Sequence, residues 1–247
     1  MTSSQPSKAA GPAAEEPSPE GYRQPRFARP SGATELLLVR HGESAPANLD
    51  EPFPLVDGHG DPELHPDGRA QAELAADRLV HEDISAIYVT TLRRTVETAA
   101  PLARRLGITP MVEADLREVH LGEWEGAAFR KHVAEGHPTA LRMFQEQRWD
   151  AIPGAEAAGT FAARVRAGIG RIASRHPEAT VVVFTHGGVI GQILADAAGA
   201  ARGFAFVGSD NGSISQLVVV GDRWIIRRYN DTAHLGLGLS TAAQPLT

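Results

Sequence analysis

The chain contains no cysteine. Disulfides, thiol nucleophiles and metal sites built on thiolates are therefore excluded. Lysine is nearly absent: apart from Lys8 and Lys131, the 24 basic residues are arginines. There is no basic excess either, since 30 acidic residues leave a net charge of -6. That balance argues against a nucleic-acid binder. No apolar run approaches the ~18 residues of a membrane span. What is present is ordinary for a globular protein: 247 residues, 42% of them apolar, enough for one domain with a real core or two small ones.

Residues 1–32 differ from the rest. They hold Pro6, Pro12, Pro17, Pro19, Pro25 and Pro30 among Ser, Ala, Gly and Glu, with Tyr22 and Phe27 as the large apolar residues. Such a segment buries too little apolar area to offset its ordering entropy, and it lacks the apolar core of a signal peptide. It is expected to be a disordered arm ahead of a domain spanning 33–236, with 237–247 as a tail.

Within the domain, short apolar runs predict strands at Glu35–Val39, Ile84–Val89, Met111–Val112, Thr180–Phe184, Ile214–Val220 and Arg223–Arg228. Helical spacing predicts helices over Asp67–Val80, Leu92–Leu106, Phe129–Trp149, Thr160–Ser174 and Gly188–Ala198. Five prolines make 43–66 a long loop. The alternation predicts an α/β fold, a three-layer α/β/α sandwich. Its central sheet is mostly parallel, with an antiparallel strand near the C-terminus.

In such sheets the sites lie at the carboxyl ends of the strands. Three predicted strand ends carry chemistry: Arg40-His41-Gly42-Glu43, Thr90-Thr91-Leu92-Arg93-Arg94, and Thr185-His186-Gly187-Gly188. A parallel sheet brings them to one edge and places His41, His186, Arg40 and Arg94 in one cavity. A neutral imidazole there can attack phosphorus and carry a phosphoryl group covalently. Two guanidiniums can hold its nonbridging oxygens. The second histidine adds a donor where charge develops. Gly42 lets the backbone approach closely, and Gly187 opens a helix whose free N–H groups favour an anion. Glu118, in Leu116-Arg117-Glu118-Val119-His120-Leu121-Gly122-Glu123-Trp124-Glu125-Gly126, is the candidate acid and base. A carboxyl beside a phosphate dianion holds its proton more tightly, because ionising it adds like charge.

Over residues 34–235 the sequence resembles the histidine phosphatase superfamily, in its phosphoglycerate mutase-like branch. The resemblance is carried by Arg40-His41-Gly42, by Leu64–Ala72, by Leu92-Arg93-Arg94 with Thr98-Ala99, by Leu116–Gly126, by Thr185-His186-Gly187-Gly188 and by Asn230–Leu235. It implies that His41 is the phosphorylated nucleophile and Glu118 the acid and base, and that Arg40, Arg94 and His186 bind the phosphoryl group. It implies no metal and no organic cofactor. Mutases of the family carry Arg after the acid and a longer insertion. Here Val119 follows Glu118 and the short form is present, which favours phosphatase over mutase. Where the family often has Asn six residues after the nucleophile, this chain has Ala47, with Asn48 next.

The expected activity is hydrolysis of small phosphomonoesters in the cytoplasm, without nucleic-acid or membrane partners. A homodimer is the commonest assembly on general grounds, with no interface legible. Two alternatives stand beside it: mutase-type phosphoryl transfer, and a module that binds a phosphorylated ligand without turnover. His59, His65, His81, His132, His137 and His176 read as surface residues. A metal site from Asp57, His59 and Asp61 has the right ligand types, but such Gly-rich loops are usually just solvated. Trp124 reads as a packing residue. Glu43, Ser44 and Arg130 read equally as substrate contacts or as ordinary surface.

Overall fold

The computed structural model describes residues 24–236 and 238. Most of the expected arm and tail lie outside the described residues. In chain order the elements are β1 (Thr34–Arg40), β2 (Leu55–Val56), β3 (His59–Gly60), α1 (Pro66–Leu79), β4 (Ile84–Val89), α2 (Arg93–Leu106) and β5 (Met111–Val112). There follow α3 (Ala128–Ala134), α4 (Pro138–Glu146), α5 (Ala158–Arg175), β6 (Thr180–Thr185), α6 (Gly187–Ala198), β7 (Ile214–Val220) and β8 (Arg223–Asp231).

The main sheet has the order β5-β4-β6-β1-β7-β8. β1, β4, β5 and β6 run parallel, and β7 turns antiparallel beside β1 and pairs with β8. This is the mixed sheet expected from the sequence. β1 shows how it becomes the middle layer. Leu36 and Leu38 face one side and join Val165, Ile169, Ile190 and Ile193 of α5 and α6. Leu37 and Val39 face the other and join Ala76, Leu79, Ala99 and Leu102 of α1 and α2. Side chains alternate across a strand, so a continuous apolar run requires cover on both faces.

Two expectations need correction. The helix read over Phe129–Trp149 is two helices. Pro138 has no N–H to continue a helix from α3, but it is well suited to the first position of α4. His137 caps α4 by accepting from Thr139 N at 3.1 Å. The loop at 43–66 also contains structure, the small β2–β3 hairpin. Asp57 and Gly58 adopt φ values of 49° and 82°, the left-handed pair that a two-residue hairpin turn requires. An Asp-Gly signal was therefore present in the sequence, hidden among prolines.

The last residues of the predicted arm lie on the domain. Arg29 Nη2 donates to the Glu178 carbonyl at 2.6 Å, and Gly32 N donates to Glu178 Oε1 at 3.1 Å. Phe27 stacks against the Arg227 guanidinium, 3.8 Å from its ring centroid.

Candidate active site

The parallel strands deliver their carboxyl ends to one edge. β1 ends on Arg40, opposite Thr185 of β6, and β4 ends beside them on Val89. The loop entering β7 arrives at the same edge because β7 runs the other way. His41 is thus gripped through its backbone. Its N–H donates to Thr185 O at 3.0 Å, and its carbonyl accepts from Asn211 Nδ2 at 2.9 Å.

The His41 ring is oriented as firmly. Nδ1 lies 2.7 Å from the Gly42 carbonyl, which can only accept, so the proton sits on Nδ1. Nε2 then carries the lone pair, and it accepts from Arg94 Nε at 3.2 Å. Burial, followed by the charges of Arg94 and Arg40, holds this imidazole well below the ordinary histidine range. Gly42 is required for packing: a Cβ there would collide with the backbone carbonyl of Gly68. Its N–H donates to Thr98 Oγ1 at 3.0 Å.

Arg40, Arg94, His186 and Glu118 are buried around it. Arg40 donates to the Ser209 carbonyl. Arg94, in the first turn of α2, donates to the Gly60 carbonyl at 2.9 Å. Burial pushes both guanidiniums down to about 10, with Glu118 opposing the shift in each case. Both stay charged at neutral pH. His186 immediately precedes α6, its ring centroid 5.2 Å from that of His41. Its Nε2 meets Thr90 Oγ1 at 3.1 Å, while its buried Nδ1 has no protein partner. Burial, then Arg94, keeps this ring well below the usual range too.

Glu118 occupies the start of α6. Its Oε2 accepts from Gly188 N at 3.1 Å and its Oε1 from Val119 N at 2.9 Å. A Cβ on Gly188 would stand 2.5 Å from Oε1, so the close approach needs glycine. The sequence assigned this helix start to phosphate. In the structure, the N–H of Gly188 is already engaged by the carboxylate.

Arg40, His41, Arg94 and Glu118 line an open cleft. His186, edge-on to the His41 ring, Gly42 and Gly187 are not among the lining residues. The outer wall is largely apolar, with Phe53, Leu121, Trp124 and Phe129, and Arg130 beside them. Arg130 is tied to Ser44 Oγ at 2.6 Å and to Ala45 O at 2.8 Å. Trp124 is 6% exposed, so it both packs and lines the cleft.

Several residues fall elsewhere than the sequence suggested. His59 is not a surface residue. It is 8% exposed and lines the cleft, with Nδ1 3.1 Å from the Asp57 carbonyl. The set Asp57, His59 and Asp61 does not assemble: Asp57 pairs with Arg117 at 2.6 Å, and Asp61 accepts from Arg93 N at 2.8 Å. Among the described residues, the group with ligand atoms close together is Glu43, His65 and Asp67. Its His65 Nδ1 already caps α1, accepting from Asp67 N at 3.3 Å. Asn48 is exposed and accepts from Asp50 N at 3.0 Å. Thr90 and Thr98 entered the sequence reading only as parts of motifs, without a role, and Asn211 did not enter it. They lie far from the histidines along the chain, and only the strand order brings them together.

A buried histidine whose Nε2 carries the lone pair, flanked by two buried arginines and a carboxyl, is chemically suited to a phosphoryl group. Comparison with known proteins gives the family. A phosphoglycerate mutase-like protein from Arabidopsis thaliana is 34% identical over 205 residues, covering 81% of this chain and 86% of the relative. A metal-independent phosphoserine phosphatase from the same plant is 31% identical, covering 83% and 84%. A mycobacterial glucosyl-3-phosphoglycerate phosphatase superposes with a TM-score of 0.68 at 30% identity, covering 80% of this chain and 99% of that one. Residues 36–232, which hold every one of these site residues, match branch 1 of the histidine phosphatase superfamily, and the chain belongs to that family.

Proposed function

We propose that the protein is a metal-independent phosphatase of small phosphomonoesters, working through a phosphohistidine on His41. The observation that carries this reading is the His41 ring. Its proton is committed to the Gly42 carbonyl, so Nε2 carries the lone pair, which attacks phosphorus once Arg94 Nε turns from it to the phosphoryl oxygens.

In the first step Nε2 attacks phosphorus and the bond to the ester oxygen breaks. Arg40 and Arg94 hold the nonbridging oxygens through charge-assisted bonds. The buried Nδ1 of His186 has no protein partner, and this supports a role for that ring as a further donor to the phosphoryl group. Glu118 gives its proton to the departing oxygen. In the second step water attacks the phosphohistidine, Glu118 takes the water proton, and phosphate leaves. The enzyme returns to its starting state, so the cycle balances. The relatives named as phosphatases support hydrolysis over transfer, as does Val119 after Glu118. The cytoplasmic setting and the homodimer read from the sequence remain part of the proposal. Among the described residues, no helix is long and apolar enough to cross a membrane.

The test is hydrolysis of an aryl phosphate with a chelator present, wild type beside His41→Ala. Wild-type turnover should survive the chelator, and the variant should lose it while keeping its fold by circular dichroism. Full activity in His41→Ala removes the phosphohistidine. Product analysis with a phosphoglycerate and a bisphosphorylated primer separates a mutase, and tight ester binding without turnover would mark a binding module.

A further inference from the structure

Glu118 belongs to no helix or strand of the main fold. It lies between two short 3-10 turns, Ala114–Leu116 and Gly122–Ala127. Its place must be set from outside, and one side chain of α5 does most of this. Arg164 Nη1 donates to the carbonyls of Asp115 at 2.6 Å and Arg117 at 2.8 Å. Its Nη2 donates to the carbonyl of Glu118 itself at 2.9 Å. Glu156 fixes the guanidinium from behind, with Oε1 at 2.7 Å from Nε and Oε2 at 2.8 Å from Nη2. Phe161 lies beneath it, 4.9 Å away. Glu156 also binds the far side of the loop, its N–H donating to the His120 carbonyl at 2.9 Å. The remaining carbonyl, Leu116 O, accepts from Thr185 Oγ1 at 2.8 Å.

We propose that Arg164, held by Glu156, is the positioning residue that aims the Glu118 carboxyl at the leaving oxygen. The inference rests on the reading of Glu118 as the acid. Arg164 does not line the cleft, so it acts through Glu118 and not on the substrate. Three charge-assisted bonds to the carbonyls of one short loop, from a guanidinium held by two more to Glu156, exceed what surface packing needs, and this side chain is only 18% exposed.

A purely structural arginine and a positioning one differ in a measurable way. A general acid helps only leaving groups that need a proton. Losing its aim should therefore hurt poor leaving groups and spare good ones, whereas a general loss of folded enzyme lowers all substrates alike. The experiment measures kcat/KM, which covers the steps through leaving-group departure, on dinitrophenyl, phenyl and alkyl phosphates. The enzymes are wild type, Arg164→Met, Glu118→Gln and the double variant.

Arg164→Met should lose on the order of 100-fold on the alkyl ester, the cost of a misplaced group, and only a few-fold on the dinitrophenyl ester. Glu118→Gln should show the same dependence, and the double variant should be no worse than Glu118→Gln. Glu156→Gln, which loosens the guanidinium without removing it, should give a weaker copy of the profile. It carries the same comparison if Arg164→Met does not fold. A uniform loss across leaving groups, or none, overturns the positioning role while Glu118→Gln keeps its dependence. If Glu118→Gln itself is indifferent to the leaving group, the acid assignment and this inference fall together.

Discussion

At the scale of single residues, the site depends on keeping two imidazoles neutral. His41 and His186 are both held below the ordinary 6.5 by burial and by Arg94. The sign follows from linkage. Below pH 6.5 the unfolded chain protonates these rings and the folded chain does not, so stability falls as the pH drops. Their contribution is complete above that pH. Urea unfolding of the wild type should show a lower midpoint at mildly acid pH than at neutral pH, and His186→Gln should reduce the difference. Direct titration by NMR should find the His41 ring neutral through the mildly acid range, and a His41 that titrates normally would contradict the burial argument. Gly42 supplies a second test. Gly42→Ala drives a methyl group into the Gly68 carbonyl, an overpacking worth about 1–3 kcal/mol, which thermal unfolding should register.

At the scale of elements, the segment between β1 and α1 is more than a tether. Gly60 N donates to Glu125 Oε2 at 2.7 Å, and Leu121 N donates to Glu125 Oε1 at 2.8 Å. One carboxylate thus joins the β2–β3 hairpin to the stretch that carries Glu118. Phe53 N adds a bond to the Gly126 carbonyl at 2.7 Å. Glu125→Ala should strand two N–H groups at about 1–3 kcal/mol each, and hydrogen exchange should speed up at Gly60 and Leu121. Unchanged exchange at both positions would show that the clasp contributes nothing. Element boundaries were legible where a cap announces them, as with Gly107 after α2, whereas Pro66, read into the loop, is the first residue of α1. The break between α3 and α4 was signalled by His137-Pro138, but the apolar spacing runs on across it. Periodicity alone therefore joined two helices into one.

At the scale of the whole molecule, strand order creates the site. β1, β6 and β4 are neighbours in the sheet although long stretches of chain separate them. Their parallel direction puts His41, His186 and the α2 arginine at one edge. The antiparallel β7 then feeds Asn211 to the same edge from the opposite direction. The charged groups lining the resulting cleft are Arg40, Arg94 and Arg130 against Glu118 and Glu125, an arginine excess that favours a phosphate dianion. Added divalent metal should therefore leave kcat unchanged in chelator-treated enzyme. A strict metal requirement restored by one ion would contradict a reaction run by arginines.

The sequence by itself determined the layer architecture, because runs such as Leu36–Val39 can be satisfied only by burial on both faces. It also determined which strand ends carry histidine and arginine, because motif and strand end are read from the same few residues. Only the tertiary structure decided the rest. His59 looked solvated because its neighbours are Gly, Asp and Pro, yet the hairpin turns it into the cleft wall. Arg164 looked like any residue on a helix, since its partners are backbone carbonyls. A carbonyl looks the same in every residue, so no sequence pattern announces that three of them will converge on one guanidinium. That convergence exists only once α5 has packed against the loop that carries Glu118.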